Sequence, residues 1–544
     1  MAKGNQATRD QAKTEAPRGR GRGGGNGSHN GHNGHYGGGP EGRGYVEDEY
    51  AAPRTSEQLV GGATSGHDMG YGQRPAHGHA YELRGLGYIP LSRLHEGRFG
   101  RMFRLLPFIP DDARIAEIAG LMTENGQGPS PQLDNPDIPA GYTYFGQFID
   151  HDITFDPQSS LTKQNDPDAL TNFRSPRYDL DSLYGRGPAD DPFLYDATTG
   201  RDKLLIGRNP ENQDDDLPRN VQEAALIGDP RNDENIFVSQ LQLTMLKFHN
   251  KVFDHVVANP GLVQGSETTF EAAQRVVRWH YQWIVVHDYL RRMVGAQTAG
   301  LVLDESGPIP TVHRDFYTWK NDPYMPVEFS VAAFRFGHSQ IRGRYKLNTT
   351  VPPLPTFKPG QIVLDRLGSF GGFRQLPAQW TIEWPRFVEV QGAGAGDRQQ
   401  TRLIDAKLAG PLFTLPPEIG GNQPSLIQRN LTRGARLLLP SGQAVAQHMG
   451  AQVLTDAQLG LPNGGPAPLW YYILREAEVQ EQGLHLGQVG GRIVAEVLVG
   501  LLEKDAGSYL RNNPGWKPFL PAAANGDFTL PDLITFTGHG LGQT

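Results

Sequence analysis

One segment of the chain combines an amide, two carboxylates and an imidazole among aromatic and apolar residues. Residues 141–155 contain Gln147, Asp150, His151 and Asp152. If this segment is helical, the first three side chains share one face, whereas Asp152 points about 100° away. A buried imidazole beside a buried carboxylate is costly unless each group has a partner. The pattern fits a catalytic site, and it equally fits a core histidine that an acidic side chain satisfies.

The composition limits the chemistry that the chain can perform. Its 544 residues include no cysteine and carry a formal net charge of −8. The lack of cysteine excludes disulfides, thiolate ligands of metals or haem, and cysteine nucleophiles. A negative net charge gives no general affinity for nucleic acid. Histidine is therefore the obvious side chain for binding a transition metal.

The first part of the chain differs in composition from the rest. It is rich in Gly, Asn, His, Arg and Pro and has almost no aliphatic periodicity, so it cannot bury enough apolar surface to offset chain entropy. We predict a disordered tail in residues 1–85, followed by one catalytic domain in residues 86–544. The Arg-Gly run at 18–23 suits contacts with RNA, and three histidines between residues 29 and 35 suit metal binding, but a solvated tail is the simpler interpretation.

Neither a membrane span nor a secretion signal is evident. No apolar run reaches the 18 or so residues that a membrane helix needs, and the longest apolar stretch, 493–502, contains Glu496. The N-terminus lacks the apolar core of a signal peptide. We expect a soluble protein that is cytoplasmic or exported by a non-classical route.

Oxygen-bearing side chains alternate in a second segment. Ser175, Asp179 and Asp181 lie in a stretch that Pro176 keeps from being helical, so they can converge on one side. Hard oxygen ligands at this spacing suit calcium, although the Gly and terminal Glu of an EF-hand are missing. On these residues alone, an Asp-rich turn is the simpler interpretation.

Three further motifs follow in the chain. Arg231 and Glu234 precede a predicted helix at 238–257, and taken alone they suggest a surface ion pair. A second helix, predicted from Thr268 to about Met293, opens with a Thr-x-x-Glu capping box. The other two motifs are Phe334-Arg335-Phe336-Gly337-His338-Ser339 and Asn430-Leu431-Thr432-Arg433.

Taken in this order, the motifs resemble those of the animal-type haem peroxidases, in the peroxidase–cyclooxygenase superfamily, whose members also occur in bacteria. Residues 146–152 resemble the family's distal haem motif, residues 175–185 its calcium loop, and residues 334–339 its proximal motif. The resemblance extends over about residues 86–540. It implies a mainly α-helical, single-domain fold with few short strands, and haem b and Ca²⁺ as cofactors.

The resemblance assigns the catalytic residues. His338 would be the axial ligand of the haem iron, and Asn430 would accept the free N–H of its imidazole. His151 would take a proton from hydrogen peroxide and return it to the departing oxygen. Arg231 would stabilise the charge that develops as the O–O bond breaks, and Gln147 would order water or a halide.

The resemblance also assigns the residues that hold the haem. Arg335 and Arg433 would bind its propionates. Asp150 and Glu234 stand where the family forms ester bonds to haem methyl groups, so we expect a covalently attached haem.

The calcium ligands implied by the resemblance come from two segments. Calcium would act structurally, by tying the residue next to His151 to the 175–181 loop. The implied ligands are Asp152, Ser175, the backbone carbonyl of Arg177, Asp179 and Asp181.

The expected function is peroxidase activity, in which hydrogen peroxide is reduced through a high-valent iron intermediate and a halide, thiocyanate or phenol is oxidised. Fatty-acid dioxygenases and cyclooxygenases are the alternative within the superfamily. Those enzymes use a tyrosine three residues before the proximal histidine, where this chain has Arg335. A haem-free scaffold or adhesion module needs none of these residues, and an RNA-associated protein rests only on the Arg-Gly run. The sequence specifies neither the reducing substrate nor the oligomeric state.

Overall fold

The structure, a computed structural model, describes residues 97–124, 133–156, 161, 164–166, 170–175, 177–209, 213–319, 322–392, 397–522 and 527–542. The predicted tail, and residues 86–96 of the predicted domain, lie outside the described residues. The described part is mainly α-helical with a few short strands, as predicted.

Helices form most of the regular structure. They are α1 (Asp112–Leu121), α2 (Gly141–Ile153), α3 (Asp181–Tyr184), α4 (Ile236–Ala258), α5 (Thr269–Trp283), α6 (Arg291–Val302), α7 (Pro417–Gly420), α8 (Leu426–Arg436), α9 (Gly442–Met449), α10 (Asp456–Leu459), α11 (Leu469–Glu481), α12 (Gln488–Lys504), α13 (Tyr509–Asn512) and α14 (Leu530–Thr537). Two π-helical stretches, Ile284–Leu290 and Glu328–Ala332, and a 3₁₀ stretch, Ala333–His338, lie near the candidate site. Further 3₁₀ turns are Pro192–Leu194, Ala197–Thr199, Pro230–Asp233, Pro260–Leu262, Ile362–Leu364, Trp384–Arg386 and Gly410–Phe413.

The strands are short and lie between the helices. They are β1 (Gly97–Gly100), β2 (Asp134–Pro139), β3 (Thr171–Asn172), β4 (Gly207–Asn209), β5 (Gln213–Asp216), β6 (Leu303–Asp304), β7 (Thr311–Val312), β8 (Met325–Pro326) and β9 (Gln400–Arg402). β1 pairs antiparallel with β3, with Gly97 opposite Asn172, and parallel with β8, with Phe99 opposite Met325. The antiparallel pairs β2–β9, β4–β5 and β6–β7 are separate.

The helix predicted to begin at Thr268 is longer and less regular than the sequence suggested. Its capping box with Glu271 is present as predicted. After α5 the chain continues through the π-helical stretch 284–290 into α6, which ends at Val302 rather than near Met293. Inside α6, Gly295 has φ 76°, a conformation that glycine adopts without a Cβ clash. Hydrophobic periodicity does not distinguish such continuous, kinked helices from a shorter straight one.

One contiguous hydrophobic core joins the helices and surrounds the candidate site. Helix α2 runs through it. The helix has no side-chain N-cap; instead the backbone N–H of Gly141 donates to the carbonyl of Phe387 at 2.8 Å. The buried carboxylate of Glu328 accepts from the backbone N–H groups of Met102 and Phe103, at 2.9 and 3.1 Å. These bonds fix the start of the described chain to the π-helical turn that precedes His338.

Candidate active site

A cavity of about 350 Å³ lies inside the helical core and brings most of the predicted site residues together. Its volume is within the range of protein sites that hold small molecules and cofactors. Helix α2 supplies part of the lining, and the turn at residues 333–338 and helix α8 supply another part. The predicted residues in the lining are Gln147, Asp150, His151, Arg231, Glu234, Arg335, His338 and Arg433.

Burial along α2 separates packing residues from those that contact the cavity. Eleven of its thirteen residues are buried, and the two exceptions are Gln147 and Asp150. Both of these line the cavity, as does His151. The predicted shared face of the helix is therefore the face that lines the cavity.

His151 is held by a chain of buried amides. Its Nδ1 lies 2.6 Å from Oδ1 of Asn232, and Nδ2 of Asn232 donates to Oε1 of Gln242 at 2.7 Å. Nε2 of Gln242 donates to the backbone carbonyl of Ser182 at 2.9 Å. Because that carbonyl can only accept, both amides have one favourable orientation, and Nδ1 of His151 must carry the proton. Nε2 is left unprotonated, as a general base requires.

Burial also keeps the imidazole of His151 neutral. Loss of solvent, and to a lesser extent the charge of Arg231, lowers its pKa to about 4. The alternative from the sequence was a core histidine satisfied by an acidic side chain. The structure shows that the partner of His151 is instead the amide of Asn232.

Arg231 binds Asp229 and the C-terminal end of α2. Its Nε donates to Oδ1 of Asp229 at 3.1 Å, and its Nη2 donates to Oδ2 of Asp229 at 2.7 Å. Nη2 also donates to the carbonyls of His151 and Thr154, at 3.0 and 2.7 Å. The alternative of a surface ion pair with Glu234 is therefore wrong. Among the described residues, Nη1 has no hydrogen-bond acceptor, and the side chain lines the cavity.

Glu234 lies in a polar network with α2. Gln147 donates from Nε2 to Oε1 of Glu234, and Asn235 donates from Nδ2 to Oε1 of Gln147 at 3.2 Å. Burial raises the pKa of Glu234 to about 7. On the same helix, Oδ1 of Asp150 accepts from the hydroxyl of Thr154 at 2.9 Å. Both carboxyl groups expected to form haem esters thus line the cavity.

Tyr289 approaches α2 closely from the π-helical stretch 284–290. Its hydroxyl occupies the space that a Cβ at position 146 would need, so residue 146 must be glycine for the two elements to pack. The Tyr289 ring also packs edge-on against Phe145 and Phe334.

His338 ends the 3₁₀ stretch that follows the second π-helical turn. Its Nδ1 lies 2.8 Å from Nδ2 of Asn430, while Oδ1 of Asn430 accepts from Nη1 of Arg335 at 3.2 Å. The pairing of His338 with Asn430 agrees with the sequence-based expectation. The orientation of the amide is the reverse of the expected one, because Arg335 binds the oxygen and the amide nitrogen is turned to the ring.

Two arginines beside His338 line the same cavity. Arg335 also donates from Nε to the carbonyl of Ser330 at 2.9 Å, and burial lowers its pKa to about 10, so it remains a cation at neutral pH. Arg433 pairs with Asp156 at 3.3 Å. Both are placed where an anionic group in the cavity can reach them.

Three carboxylates converge on the far side of α2. Asp152, Asp179 and Asp181 are buried, and each offers an oxygen within 4.8 Å of the others. Neither oxygen of Asp152 accepts a hydrogen bond of ordinary geometry. Burial, with the charges of Asp179 and Asp181 adding to it, raises the pKa of Asp152 well above its ordinary value. A carboxylate cluster of this kind fits a cation.

The other two expected calcium ligands are Ser175 and the backbone carbonyl of Arg177. The hydroxyl of Ser175 donates to Oδ2 of Asp179, which puts it at the cluster. The side chain of Arg177 pairs with Asp505 at 3.7 Å, and the role of its backbone carbonyl stays a prediction. Pro176 lies outside the described residues.

Four residues that the sequence did not single out belong to the site's surroundings. Asn232 and Gln242 fix the proton of His151, and Asp229 is the counter-ion of Arg231. Arg174 binds Asp229, Asp181 and the carbonyl of His151, so it joins the carboxylate cluster to the cavity. Asp229 and Asn232 lie beside Arg231 in the sequence, but no periodicity marks a hydrogen-bond partner.

The chain resembles known proteins in sequence. Residues 162–361 match the family model described as animal haem peroxidase. This range includes Arg231, Glu234, Arg335 and His338. Residues 162–361 thus resemble an animal haem peroxidase domain.

Curated relatives are similar to part of this chain. It is 27% identical over 251 residues to a peroxidase-like protein of Margaritifera margaritifera, covering 37% of this chain and 31% of that protein. It is 27% identical over 230 residues to heme peroxidase 2 of Caenorhabditis elegans, covering 37% and 30%. The chain therefore spans about a third of the length of these relatives.

The fold of this chain is similar to that of solved structures. Peroxidase A of Dictyostelium discoideum superposes with a TM-score of 0.60 at 15% identity, over 84% of this chain and 96% of that one. A fatty acid alpha-dioxygenase variant of Oryza sativa with palmitic acid superposes with a TM-score of 0.51 at 14% identity, over 76% and 77%. Both likenesses concern the fold. Among the described residues, no helix has the length and apolar character needed to cross a bilayer.

Proposed function

We propose that the protein is a haem b peroxidase that reduces hydrogen peroxide and oxidises a small donor such as a halide, thiocyanate or a phenol. The observation that carries the proposal is the pairing of two neutral imidazoles in one cavity, His151 with an amide-fixed tautomer and His338 beside Asn430. Hydrogen peroxide and the donor are the proposed partners. We expect no nucleic-acid partner.

The residues of the cavity fit a haem. Nε2 of His338 has no hydrogen-bond partner among the described residues and would bind the iron. Arg335 and Arg433 would bind the propionates, and Asp150 and Glu234 would form the ester bonds. When bound, the haem would supply the iron that accepts the oxidising equivalents of peroxide and passes them to the donor.

The proton steps fall to His151. Nε2 accepts a proton from hydrogen peroxide and then delivers it to the departing oxygen, which leaves as water. The amides of Asn232 and Gln242 keep a proton on Nδ1, so Nε2 is the nitrogen that accepts and returns the proton of peroxide. Arg231 offers its free Nη1 to the negative charge that develops on oxygen, and Gln147 orders water or a halide.

Iron binding requires a change beside His338. Coordination through Nε2 requires that Nδ1 carry the ring proton, so Asn430 must then present its oxygen rather than its amide nitrogen. Arg335 loses that oxygen as an acceptor and becomes available to a propionate. Haem binding and the release of Arg335 are coupled in this way.

Calcium would bind Asp152, Asp179 and Asp181, completed by Ser175 and the carbonyl of Arg177. A divalent cation offsets the repulsion among the three carboxylates. Because Asp152 follows His151 in the chain, the ion would stabilise the end of α2 rather than take part in the chemistry.

The test is the absorption spectrum of the haem-reconstituted protein before and after one equivalent of peroxide. We expect a Soret band that changes with peroxide and recovers on addition of iodide or guaiacol. The matched control is His338→Ala, which should lack the ligated spectrum. A Soret band that peroxide leaves unchanged would contradict the proposal. Oxygen uptake with an unsaturated fatty acid would instead favour the dioxygenase alternative.

The ester bonds have a separate test. Acid–acetone extraction should leave haem attached to the protein, because ester-linked haem does not dissociate when the axial bond breaks. Asp150→Asn with Glu234→Gln is the control and should release its haem. Release of all haem from the unaltered protein would exclude the linkage.

A further inference from the structure

Arg429 is a cation of the cavity that no proposed step uses. It lies four residues before Arg433 on α8, so both side chains project from neighbouring turns of one helix face, and both line the cavity. Nη1 of Arg429 donates to the backbone carbonyl of Gly420 at 2.5 Å. Among the described residues, no carboxylate forms an ion pair with it.

The surroundings of Arg429 are costly for an unpaired charge. Burial and the neighbouring charge of Arg433 lower its pKa, and the charge of Glu234 opposes this only in part. Arg433 has Asp156 as its partner, and Arg335 has the oxygens of Ser330 and Asn430. Because Arg335 is assigned to a propionate, Arg429 is the cavity arginine that has neither an assigned anion nor a carboxylate partner among the described residues.

An apolar wall adjoins this guanidinium. The carbonyl that Arg429 binds belongs to Gly420, at the end of the segment that places Leu412, Leu415 and Ile419 in the cavity lining. Phe357 lines the cavity from a second loop. The two loops are joined where Oε1 of Glu418 accepts from the backbone N–H of Ile362 at 2.9 Å. A cation beside a braced apolar surface matches a molecule that has a carboxylate at one end and an apolar body.

We propose that Arg429 and this wall form the donor subsite, which selects aromatic donors that carry a carboxylate. The inference rests on the proposed peroxidase function. Each phenolic donor gives up one electron and one proton, so two donors convert one hydrogen peroxide into two waters and leave two phenoxyl radicals. Arg429 binds the carboxylate and takes no part in the electron transfer.

The propionates of the haem are the competing anions for Arg429. Arg335 and Arg433 already match the two propionates, which leaves Arg429 for another carboxylate. The distinction can be measured, because a propionate ligand and a donor ligand respond differently to substitution. Loss of Arg429 should leave haem affinity unchanged if it serves the donor.

A matched pair of probes tests the subsite: 3-(4-hydroxyphenyl)propanoate and its neutral amide. Isothermal titration of the haem-loaded protein, without peroxide, should show the carboxylate binding about tenfold more tightly than the amide. Arg429→Gln should reduce that ratio to near one. Arg436→Gln, on the same helix but outside the cavity lining, should preserve it, and added salt should weaken binding of the carboxylate alone.

Turnover separates the subsite from the function. With peroxide, Arg429→Gln should raise KM for the carboxylate about tenfold and leave KM for the amide and the haem content unchanged. Equal binding of the two probes by the unaltered protein, or loss of haem in Arg429→Gln, would overturn the subsite. Failure of the unaltered protein to oxidise guaiacol would instead overturn the proposed function, while a retained binding preference would leave the carboxylate subsite standing.

Discussion

The two histidines of the cavity have the same kind of partner in opposite orientations. His151 faces the oxygen of Asn232, whereas His338 faces the nitrogen of Asn430. The difference arises one residue further out. Gln242 takes the amide nitrogen of Asn232, and Arg335 takes the amide oxygen of Asn430. The proton position on a buried imidazole is therefore decided by the neighbour of its partner.

The comparison also separates a permanent arrangement from a changeable one. The amides beside His151 end at the carbonyl of Ser182, which cannot reverse its role. Asn430 is held by a guanidinium, which can exchange an amide oxygen for a carboxylate. The amides beside His151, the proposed proton acceptor, are anchored to backbone, whereas Asn430, beside the proposed iron ligand His338, is anchored to a side chain.

The largest expected effect is loss of haem binding in His338→Ala. Removing the imidazole removes the proposed iron ligand, so the Soret band of the ligated haem should be absent. Haem titration followed by absorbance measures this. His151→Ala is the control, and it should bind haem normally. Equal haem affinity in both variants would contradict the assignment of His338, rather than His151, as the iron ligand.

The next effect is on the reaction with peroxide. His151→Ala should bind haem yet react with peroxide about 10²- to 10⁴-fold more slowly, because the proton acceptor is gone. Stopped-flow absorbance at the Soret band gives the rate. An unchanged rate would mean that another group moves the proton.

A smaller effect should follow from the amide that orients Asn232. Gln242→Leu leaves Asn232 beside His151 and Asn430 beside His338, but it frees the Asn232 amide to turn. We therefore expect the peroxide reaction to slow about tenfold. Asn430→Leu is the matched change beside His338, and it should loosen haem rather than slow proton transfer. If Gln242→Leu loses haem and keeps its rate, the amide chain supports packing only.

A calcium titration tests whether the helix end that carries His151 depends on an ion at the neighbouring carboxylate cluster. Asp152→Asn removes a buried carboxyl group whose charged form is unfavourable beside Asp179 and Asp181, so the metal-free protein should melt at a higher temperature and gain less from added Ca²⁺ than the unaltered protein. Differential scanning calorimetry with and without chelator measures both shifts. Asp505→Asn, which lies outside the three-carboxylate cluster, controls for loss of a buried acid. An identical calcium response in Asp152→Asn would remove this residue from the ligand set.

The smallest effect concerns Glu234 in the haem-free protein. Its folded pKa is raised to about 7, so its contribution to stability is present below about pH 4.5, the unfolded value, and is lost as pH rises through 7. Glu234→Gln should therefore lose less melting temperature between pH 5 and pH 8 than the unaltered protein. Parallel melting curves against pH would show that this carboxyl is solvated instead.

The sequence predicted the residues that line the cavity better than the residues that hold them in place. Helical spacing predicted the shared face of Gln147, Asp150 and His151. The convergence of Asp152 with Asp179 and Asp181 was implied by the family resemblance and not by the spacing. The orientation of Asn430 did not follow, because it depends on Arg335, a residue distant from it in the chain. The roles of Asn232 and Gln242 could not be predicted for the same reason, because long-range hydrogen bonds leave no local pattern in the sequence.

The close approach of Tyr289 to Gly146 shows that a residue of a sequence motif can be required for packing alone. In the stretch from Gly146 to Asp152, only some letters mark chemistry. The glycine marks the distance between two packed elements, because any larger residue would meet the tyrosine hydroxyl. A motif search that weights every residue equally therefore treats a packing residue like the polar residues of the site. In a relative that keeps the histidine but replaces this glycine, we expect the cavity wall formed by the tyrosine to be displaced.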